Sequence, residues 1–278
     1  MILDLIAERI LRWKLIDQLE IRDLCIGYPY TYSVIKGDYE TIGVALTPIY
    51  ELSNVEVWRP PEINLSSTVR KAVEKLTSTH MLERALALAT ANAVSQYIIR
   101  KELNKLKYSR GANEETHQLI NILEKAGVKR IAVIGNMAPL VKRLRERGLE
   151  VMVFERSRER RTDEVYSDCL EPRLLPRAEA VIITGATLIN ETLDTILLHA
   201  RSSRINILIG PTAQIHPTLL KDVGVDYVAS CHSKNPEETV KLLKLSGWRK
   251  ALHKESMWYL MRVNETLDKA SGNSAQVM

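Results

Sequence analysis

The sequence predicts an α/β protein with two domains: a small α+β domain, followed by a mostly parallel sheet covered by helices on both faces. Two observations predict this fold. Early in the chain, two β-branched segments flank a glycine turn and helices follow them. From about residue 128, short apolar segments alternate with helical ones, as in a parallel sheet with right-handed crossovers. The length of 278 residues also favours two domains.

The composition is that of an ordinary folded protein. Hydrophobic residues make up 45% of the chain and charged residues 26%, close to average globular usage. The net charge is +5, and the basic residues are dispersed along the chain. This charge does not require a polyanionic partner, so we do not expect nucleic acid binding.

Cysteine usage and hydropathy bear on location. Cys25, Cys169 and Cys231 are widely separated and odd in number, which suits a reducing compartment better than a disulfide framework. Near the N-terminus, Asp4 and Glu8 interrupt the apolar residues, so this segment predicts an amphipathic helix rather than a signal peptide. No apolar stretch approaches the ~20 residues that cross a bilayer. We therefore expect a cytoplasmic protein without membrane insertion.

The first domain is expected over residues 1–110. After the N-terminal helix, Leu24–Ile35 and Thr41–Leu46 are rich in apolar, aromatic and β-branched residues. The turn Lys36-Gly37-Asp38 joins them, which predicts two strands of a small antiparallel sheet.

Two helices follow in the first domain, one predicted from Ser66 to Leu76 and the other from Met81 to Leu103. The centre of the second, LERALALATANAVSQY, is nearly free of charge and rich in alanine. It therefore predicts a buried helix that its neighbours approach closely. Asn92 interrupts this apolar surface, and a buried amide must find hydrogen-bond partners or face a ligand.

The second domain is expected over residues 111–278, after a polar segment that follows Leu103. Its strands and helices alternate, which predicts a mostly parallel, three-layer sheet. The expected strands are Val128–Ile134, Leu149–Phe154, Ala180–Thr184, Ile205–Ile209 and Tyr227–Ala229. The expected helices are Glu114–Ala126, Ala138–Arg147, Glu191–Ala200, Thr218–Asp222, Glu237–Leu245 and a C-terminal helix over Lys250–Asp268, with a frayed tail after Ala270.

The segment AVIITGATLINETL indicates where a ligand binds. Ala180–Thr184 is apolar enough to be a strand buried on both faces. The residues after it, including Gly185, Thr187 and Asn190, bring hydroxyls, an amide and an open backbone to the carboxyl end of that strand. For Asn190 a second interpretation is equally open, since it could simply cap a helix that begins at Glu191.

The first strand of the second domain also ends in a glycine turn, at Gly135-Asn136. A dinucleotide site requires further glycines, and none follows here. Glu155 lies 20 residues after Gly135, the offset at which an acidic residue contacts ribose hydroxyls. Four arginines follow it, at 156, 158, 160 and 161. They could hold a phosphate or belong to a solvated loop, and the loop is favoured.

Three strand ends therefore carry a glycine at the same edge of the predicted sheet. They are Gly135, Thr184-Gly185 and Gly210-Pro211. Because the carboxyl ends of parallel strands meet at one edge, three open backbone positions there predict a ligand crevice.

The sequence contains no compact set of metal ligands. Cys231-His232 is an adjacent pair, but neighbours on an extended chain point to opposite faces. No C-x-x-C or comparable spacing occurs, so neither a structural zinc site nor a Cys-His nucleophile is supported. Catalytic residues and metal ligands are left unassigned.

Five segments in this order, LERALALATANAVSQ, IGNMAPLV, VFER, AVIITGATLINETL and LIGPTAQIHPTLLKDVGVDYVAS, resemble a prokaryotic family of unknown function called the putative heavy-metal chelation family. The resemblance covers about residues 21–247, and TGATLINETL followed by IGP is its most specific part. It implies an N-terminal domain similar to that of enolase, followed by a Rossmann-like domain, with a site between them. By this resemblance the site includes Asn92, Gly135, Glu155, Thr184, Gly185, Thr187, Asn190, Gly210 and Pro211, and we add Asn136, where the family usually has an aromatic residue.

Three hypotheses follow. The leading one is a protein that binds a small polar or anionic ligand between its domains, in heavy-metal chelation, chelator handling or metal uptake, with any divalent metal arriving as a complex. The second is an enzyme with a nucleotide-type cofactor, in which Glu155 contacts ribose and Thr184 to Asn190 surround the reacting centre. The third is a non-catalytic partner in an oligomer, including a homo-oligomer.

Overall fold

The computed structural model describes residues 1–52, 59–103 and 112–264 and contains two β-sheets. The α-helices are α1 (Ile2–Leu11), α2 (Val69–Glu74), α3 (Met81–Leu103), α4 (Ala112–Lys125), α5 (Ala138–Glu146), α6 (Glu171–Leu174), α7 (Ala186–Ile189), α8 (Leu193–His199) and α9 (Pro236–Lys244). The strands are β1 (Glu20–Cys25), β2 (Tyr30–Lys36), β3 (Glu40–Leu46), β4 (Arg130–Ile134), β5 (Glu150–Glu155), β6 (Val165–Ser167), β7 (Ala180–Thr184), β8 (Ile205–Ile209), β9 (Tyr227–Ser233) and β10 (Ser256–Arg262).

The small sheet is antiparallel, in the order β1-β2-β3. The prediction of one strand over Leu24–Ile35 is wrong, because this segment forms β1 and β2 with a turn between them. Gly27 and Pro29 lie in that turn, and both residue types favour turns over strand interiors. Thr47 fastens the turn, since its N–H donates to the carbonyl oxygen of Pro29 at 2.9 Å.

Helix α3 packs directly on strand β3, as its alanine-rich centre predicts. A Cβ atom added at Gly43 would lie 2.1 Å from the backbone nitrogen of Ala93 and 2.2 Å from the carbonyl oxygen of Ala89. Only glycine fits such an approach of two backbones. Nearby, the hydroxyl of Thr41 donates to the carbonyl oxygen of Ala93 at 3.0 Å.

The large sheet has seven strands in the order β10-β9-β8-β7-β4-β5-β6. Every pair is parallel except β9 and β10. The mixed α/β architecture with a mostly parallel sheet is therefore confirmed. The chain winds outward from β4 in both directions, so the strand order reverses between β4 and β7. In open α/β sheets, ligands bind at the carboxyl ends of the strands beside such a reversal.

The predicted C-terminal helix over Lys250–Asp268 is wrong. A short π-helical turn at Lys250–Lys254 leads into β10, which pairs antiparallel with β9 along seven residues from Ser256 to Arg262. The open edge of β9 offers these residues backbone partners that a helix would not use, and this pairing overrides local propensity. Residues after 264, including the tail after Ala270, lie outside the described part of the chain.

The two predicted domains share one apolar core. It runs from α1 and α3 to one face of the large sheet, where it includes Ile134 and Val181, while α4 and α5 cover the other face. The shared core reaches the first residues of the chain. There, the N–H of Ile2 at the start of α1 donates to the carboxylate of Asp194 on α8, at 3.0 Å. The predicted boundary between residues 110 and 111 lies outside the described residues and stays a prediction.

Helices α4, α5 and α9 end in the same motif. In each, the backbone turns to a positive φ just after the helix, at Gly127 (64°), Gly148 (74°) and Ser246 (56°). The next N–H then bonds back to the last helical turn, from Val128 to Leu123, from Leu149 to Leu144 and from Gly247 to Leu242. This is the Schellman arrangement, in which glycine is preferred. Ser246 is thus the strained member of the three.

We expect Ser246→Gly to raise the free energy of unfolding by about 1 kcal/mol, because glycine adopts a positive φ without a steric penalty. Urea unfolding measures the change. Gly148→Ser is the matched control, since a Cβ atom there meets nothing within 4 Å, and we expect a loss of similar size. An unchanged unfolding midpoint for both variants would contradict this account.

Candidate functional site

The turn after β4 is built around Gly135 and Glu155. Gly135 has a φ of 91°, and its N–H donates to the carbonyl oxygen of Phe154 at 2.7 Å. The buried carboxylate of Glu155 accepts the N–H of Asn136 at 3.0 Å and that of Ser157 at 2.9 Å. Glu155 therefore binds the turn's own amides, in the position where a nucleotide-binding fold would use its acid on ribose.

The segment after β7 turns sharply against the segment after β8. The N–H of Gly185 donates to the carbonyl oxygen of Ile209 at 2.9 Å. A Cβ atom at Gly185 would lie 2.5 Å from the backbone nitrogen of Ala213, so only glycine fits there. Thr187 is buried, and its hydroxyl donates to the carbonyl oxygen of Thr184 at 2.8 Å.

Asn190 follows α7 and does not cap a helix at Glu191, so that alternative interpretation is wrong. The next helix, α8, begins only at Leu193. The side-chain oxygen of Asn190 instead accepts the hydroxyl of Thr192 at 2.7 Å. Between them, Glu191 adopts a φ of 56°, a left-handed conformation that glutamate rarely takes.

The segment after β8 closes the open edge of the small sheet. Gly210 has a φ of 107° and turns the chain so that Pro211 and Thr212 run toward β3. The N–H of Leu46 donates to the hydroxyl of Thr212 at 3.0 Å, and the N–H of Val44 donates to the side-chain oxygen of Gln214 at 2.8 Å. These side chains supply hydrogen-bond partners that a fourth strand beside β3 would otherwise provide.

Asn92 belongs to the same closure, so it finds protein partners. Its amide nitrogen donates to the carbonyl oxygens of Val44, at 2.7 Å, and of Thr212, at 3.0 Å. Asn92 is fully buried, and its side-chain oxygen has no hydrogen-bond partner. Through these two bonds Asn92 links the two halves of the protein.

Cys231 and His232 do not form a nucleophilic pair. His232 contacts the side-chain oxygen of Gln96 at 2.9 Å through Nδ1, and burial, with Arg100 nearby, lowers its pKa to about 4. Burial raises the pKa of the Cys231 thiol well above its ordinary value. A neutral histidine and an un-ionised thiol do not provide an activated sulfur.

The predicted residues therefore divide into two groups. Asn92, Glu155, Gly185 and Thr187 are buried and serve internal contacts. The other six are partly accessible: Gly135, Asn136, Thr184, Asn190, Gly210 and Pro211. Gly135 and Thr184 are direct neighbours, since a Cβ atom on Gly135 would lie 3.0 Å from the Thr184 methyl group. Four of the accessible residues follow β4 or β8, Thr184 is the last residue of β7, and Asn190 follows α7.

Arg156 connects the two halves of the protein beside this edge. It pairs with Glu51 of the first half at 2.8 Å and with Asp168 of the second at 2.9 Å. Burial raises the pKa of nearby Glu171 to about 7, and the charge of Asp168 adds to the rise while Arg156 opposes it. Arg160 is also engaged, because it donates to the carbonyl oxygen of Asn136 at 3.2 Å.

Sequence reasoning missed Arg84. It lies in the first turn of α3 and is 5% exposed, and it forms an ion pair with Glu191 in the turn after α7. The available signal was a single arginine entering the otherwise apolar helix LERALALATANAVSQY. A buried arginine needs a partner, which sequence alone did not identify.

The described residues hold no group of three or more histidine, cysteine, aspartate or glutamate side chains that could bind a metal ion. Within the same residues, no helix is long and apolar enough to cross a membrane. A cavity of about 540 Å³ lies between α5 and strands β5 and β6 and reaches Asn136. Another of about 310 Å³ lies beside Tyr97.

Two family models match the chain, over residues 9–95 and 118–262, and both carry the description "Putative heavy-metal chelation". An uncharacterized protein of Methanocaldococcus jannaschii is 32% identical over 249 residues, covering 89% of this chain and 92% of that protein. A crystal structure of a protein of unknown function from Pyrococcus horikoshii shares 32% identity and a TM-score of 0.81, covering 94% of this chain and 100% of that one. A protein of unknown function from Desulfitobacterium hafniense shares the fold, with 18% identity, a TM-score of 0.73 and coverage of 94% and 98%.

Glu171→Gln should flatten the pH dependence of stability. The pKa of Glu171 rises from 4.5 to about 7 on folding, so the folded protein holds this proton more tightly than the unfolded chain. The resulting stabilisation is complete below pH 4.5 and is lost as the pH rises through 7. Glutamine stays neutral, so the variant should gain about 2–3 kcal/mol over the wild type between pH 4.5 and 8. Urea unfolding at each pH measures the free energy of unfolding, and Glu146→Gln, at an exposed position, is the control. Parallel curves of this free energy against pH for the wild type and Glu171→Gln would refute the raised pKa of Glu171.

Proposed function

The chain belongs to the family described as "Putative heavy-metal chelation", and from this premise we propose that it binds a small polar or anionic ligand in the crevice between its two predicted domains. The ligand takes part in heavy-metal chelation, chelator handling or metal uptake. We place the protein in the cytoplasm, in keeping with its three free cysteines.

The observation that supports this proposal most is the set of partly accessible residues where β4, β7 and β8 end. Gly135, Asn136, Thr184, Gly210 and Pro211 lie together beside the reversal of strand order. They offer backbone groups, one amide and one hydroxyl, which suit a polar ligand that is larger than a single ion.

The metal, as cargo, fits this crevice only inside a complex. The described residues provide no three-ligand group. His232 contacts Gln96 through Nδ1, and the raised pKa of the Cys231 thiol opposes the thiolate that a soft metal needs. Glu155 is bound to backbone amides, and Glu191 is bound to Arg84. We propose that the metal arrives with its own organic ligands.

An enzyme with a nucleotide-type cofactor is the second candidate. The position of Glu155 at the end of β5, beside the turn that follows β4, favours it. Its carboxylate, however, already accepts two backbone N–H groups of the protein, so a ribose would compete with them.

The first test identifies what the protein carries. Native mass spectrometry of protein from its own cells should show a bound mass that is released on denaturation. Thr184→Val removes the hydroxyl of a partly accessible residue, which also accepts the N–H of Ala186 at 3.4 Å, while it keeps the shape of the side chain. We expect about 10-fold weaker binding of the carried species. Thr195→Val, at an exposed position on α8, is the control. The polypeptide mass alone, or equal occupancy in both variants, would refute the proposal.

The second test separates the bare metal from its complex. We expect Zn²⁺ added as chloride to give no saturable binding in calorimetry, because the described residues lack a ligand set. The species released from native protein should bind back with one site per chain. Tight one-to-one binding of Zn²⁺ alone would show that the ligand set assigned to the organic partner belongs to the protein.

A further inference from the structure

Arg84 is a buried guanidinium with one donor nitrogen that has no hydrogen-bond partner. An arginine side chain presents five N–H groups and stays charged in proteins. Here Nη1 donates to Glu191, while Nε is buried and has no hydrogen-bond partner. Within residues 1–52, 59–103 and 112–264, the hydrogen bond to Glu191 is the one described for this side chain. Nε is therefore a buried donor without a partner, and no hydrogen bond is described for Nη2 on the same edge of the guanidinium.

Arg70 of the same protein shows the geometry in which both Nε and Nη2 of an arginine bind an anionic group. Its Nε donates to one carboxylate oxygen of Asp17 at 2.8 Å, and its Nη2 donates to the other at 2.8 Å. Its Nη1 donates to the carbonyl oxygen of Leu11 at 3.1 Å. This two-point geometry is the one that arginine uses to recognise carboxylates and phosphates. Arg84 has the same edge without the anion.

The counter-ion of Arg84 comes from a strained turn. Glu191 has a φ of 56°, a left-handed conformation that is unfavourable for a non-glycine residue. Its side chain is 30% exposed, whereas that of Arg84 is 7% exposed. The neighbours of Glu191 belong to the candidate site, because Asn190 precedes it and α7 packs against α3. The turn thus holds one carboxylate on Arg84 at the border of the crevice.

We propose that Arg84 is the anion-recognition residue of the crevice and that its Nε–Nη2 edge binds a carboxylate or phosphate group of the ligand. This inference rests on the proposed function and specifies the class of ligand, an organic molecule with a planar or tetrahedral anionic group. Glu191 is the resident counter-ion that neutralises the buried guanidinium when no ligand is bound. Its negative charge opposes a second anion, so it sets how strongly the ligand's anionic group is held.

Calorimetry with two probes on the full chain tests this, at constant ionic strength set with sodium chloride. The probes are inorganic phosphate and citrate. We expect Glu191→Gln to bind at least one probe about 10-fold more tightly than the wild type, because the competing charge is gone. Adding Arg84→Lys should reverse the gain, since lysine keeps the charge but lacks the two-donor edge. Adding Arg70→Lys instead is the matched control and should leave the gain intact.

The outcomes separate the alternatives. Phosphate binding alone indicates a phosphate-bearing ligand, and citrate binding alone indicates a polycarboxylate. Equal probe affinities for Glu191→Gln with and without the added Arg84→Lys change would overturn the inference, and so would the absence of any gain in Glu191→Gln. If the Arg84→Lys chain does not fold, nuclear magnetic resonance of the Arg84 Nε–H group in Glu191→Gln decides, because bound anion must shift that signal.

Failure of this inference is distinguishable from failure of the proposed function. Native protein could carry a species whose binding is weakened by Thr184→Val but not by Arg84→Lys. That result would keep the proposed crevice and overturn only the role of Arg84 in anion binding. If native protein carries no bound species but the probes still bind with the expected dependence on Arg84, the proposed function would fail instead.

Discussion

The buried edge of strand β3 is the constraint on which the rest of the structure depends. One side of β3 pairs with β2, and its other side would leave N–H and C=O groups unsatisfied inside the protein. Thr212 and Gln214 supply acceptors for two of the N–H groups, and Asn92 supplies a donor for one carbonyl group. Because these partners come from both halves of the chain, the small sheet has one fixed position over the large one.

That fixed position determines which parts of the carboxyl edge stay accessible. Gly185 and Thr212 are pressed together by the closure, so their surroundings are filled with protein atoms. Thr184 and Gly135 lie further along the edge and stay partly accessible. The polar residues of TGATLINETL consequently fall into two groups, since Thr187 is buried and holds the turn while Thr184 and Asn190 stay partly accessible.

The sequence predicted best the elements that are fully buried and whose conformation follows from their own residues. Met81–Leu103, Ala180–Thr184 and Ile205–Ile209 have the predicted bounds, because long apolar or β-branched runs have one compatible conformation when buried. β10 could not be predicted in the same way, since its conformation comes from pairing with β9. The glycines at strand ends led to the prediction of a crevice, which stays a prediction, whereas no sequence pattern indicated the partners of Asn92 and Glu155. Arg84 and Glu191 are 107 residues apart, and no local pattern connects them.

The hydrogen bond from the N–H of Ile2 to Asp194 has a consequence for synthesis of the chain. The first turn of α1 and the edge of β3 are made early, but Asp194, Thr212 and Gln214 leave the ribosome much later. During that interval, at about 5–20 residues per second, the nascent first half has an uncapped helix and an open strand edge. Such an edge invites pairing with other chains. Completion of the native fold is therefore delayed until the second half has emerged, and the edge of β3 is exposed to other chains during this interval.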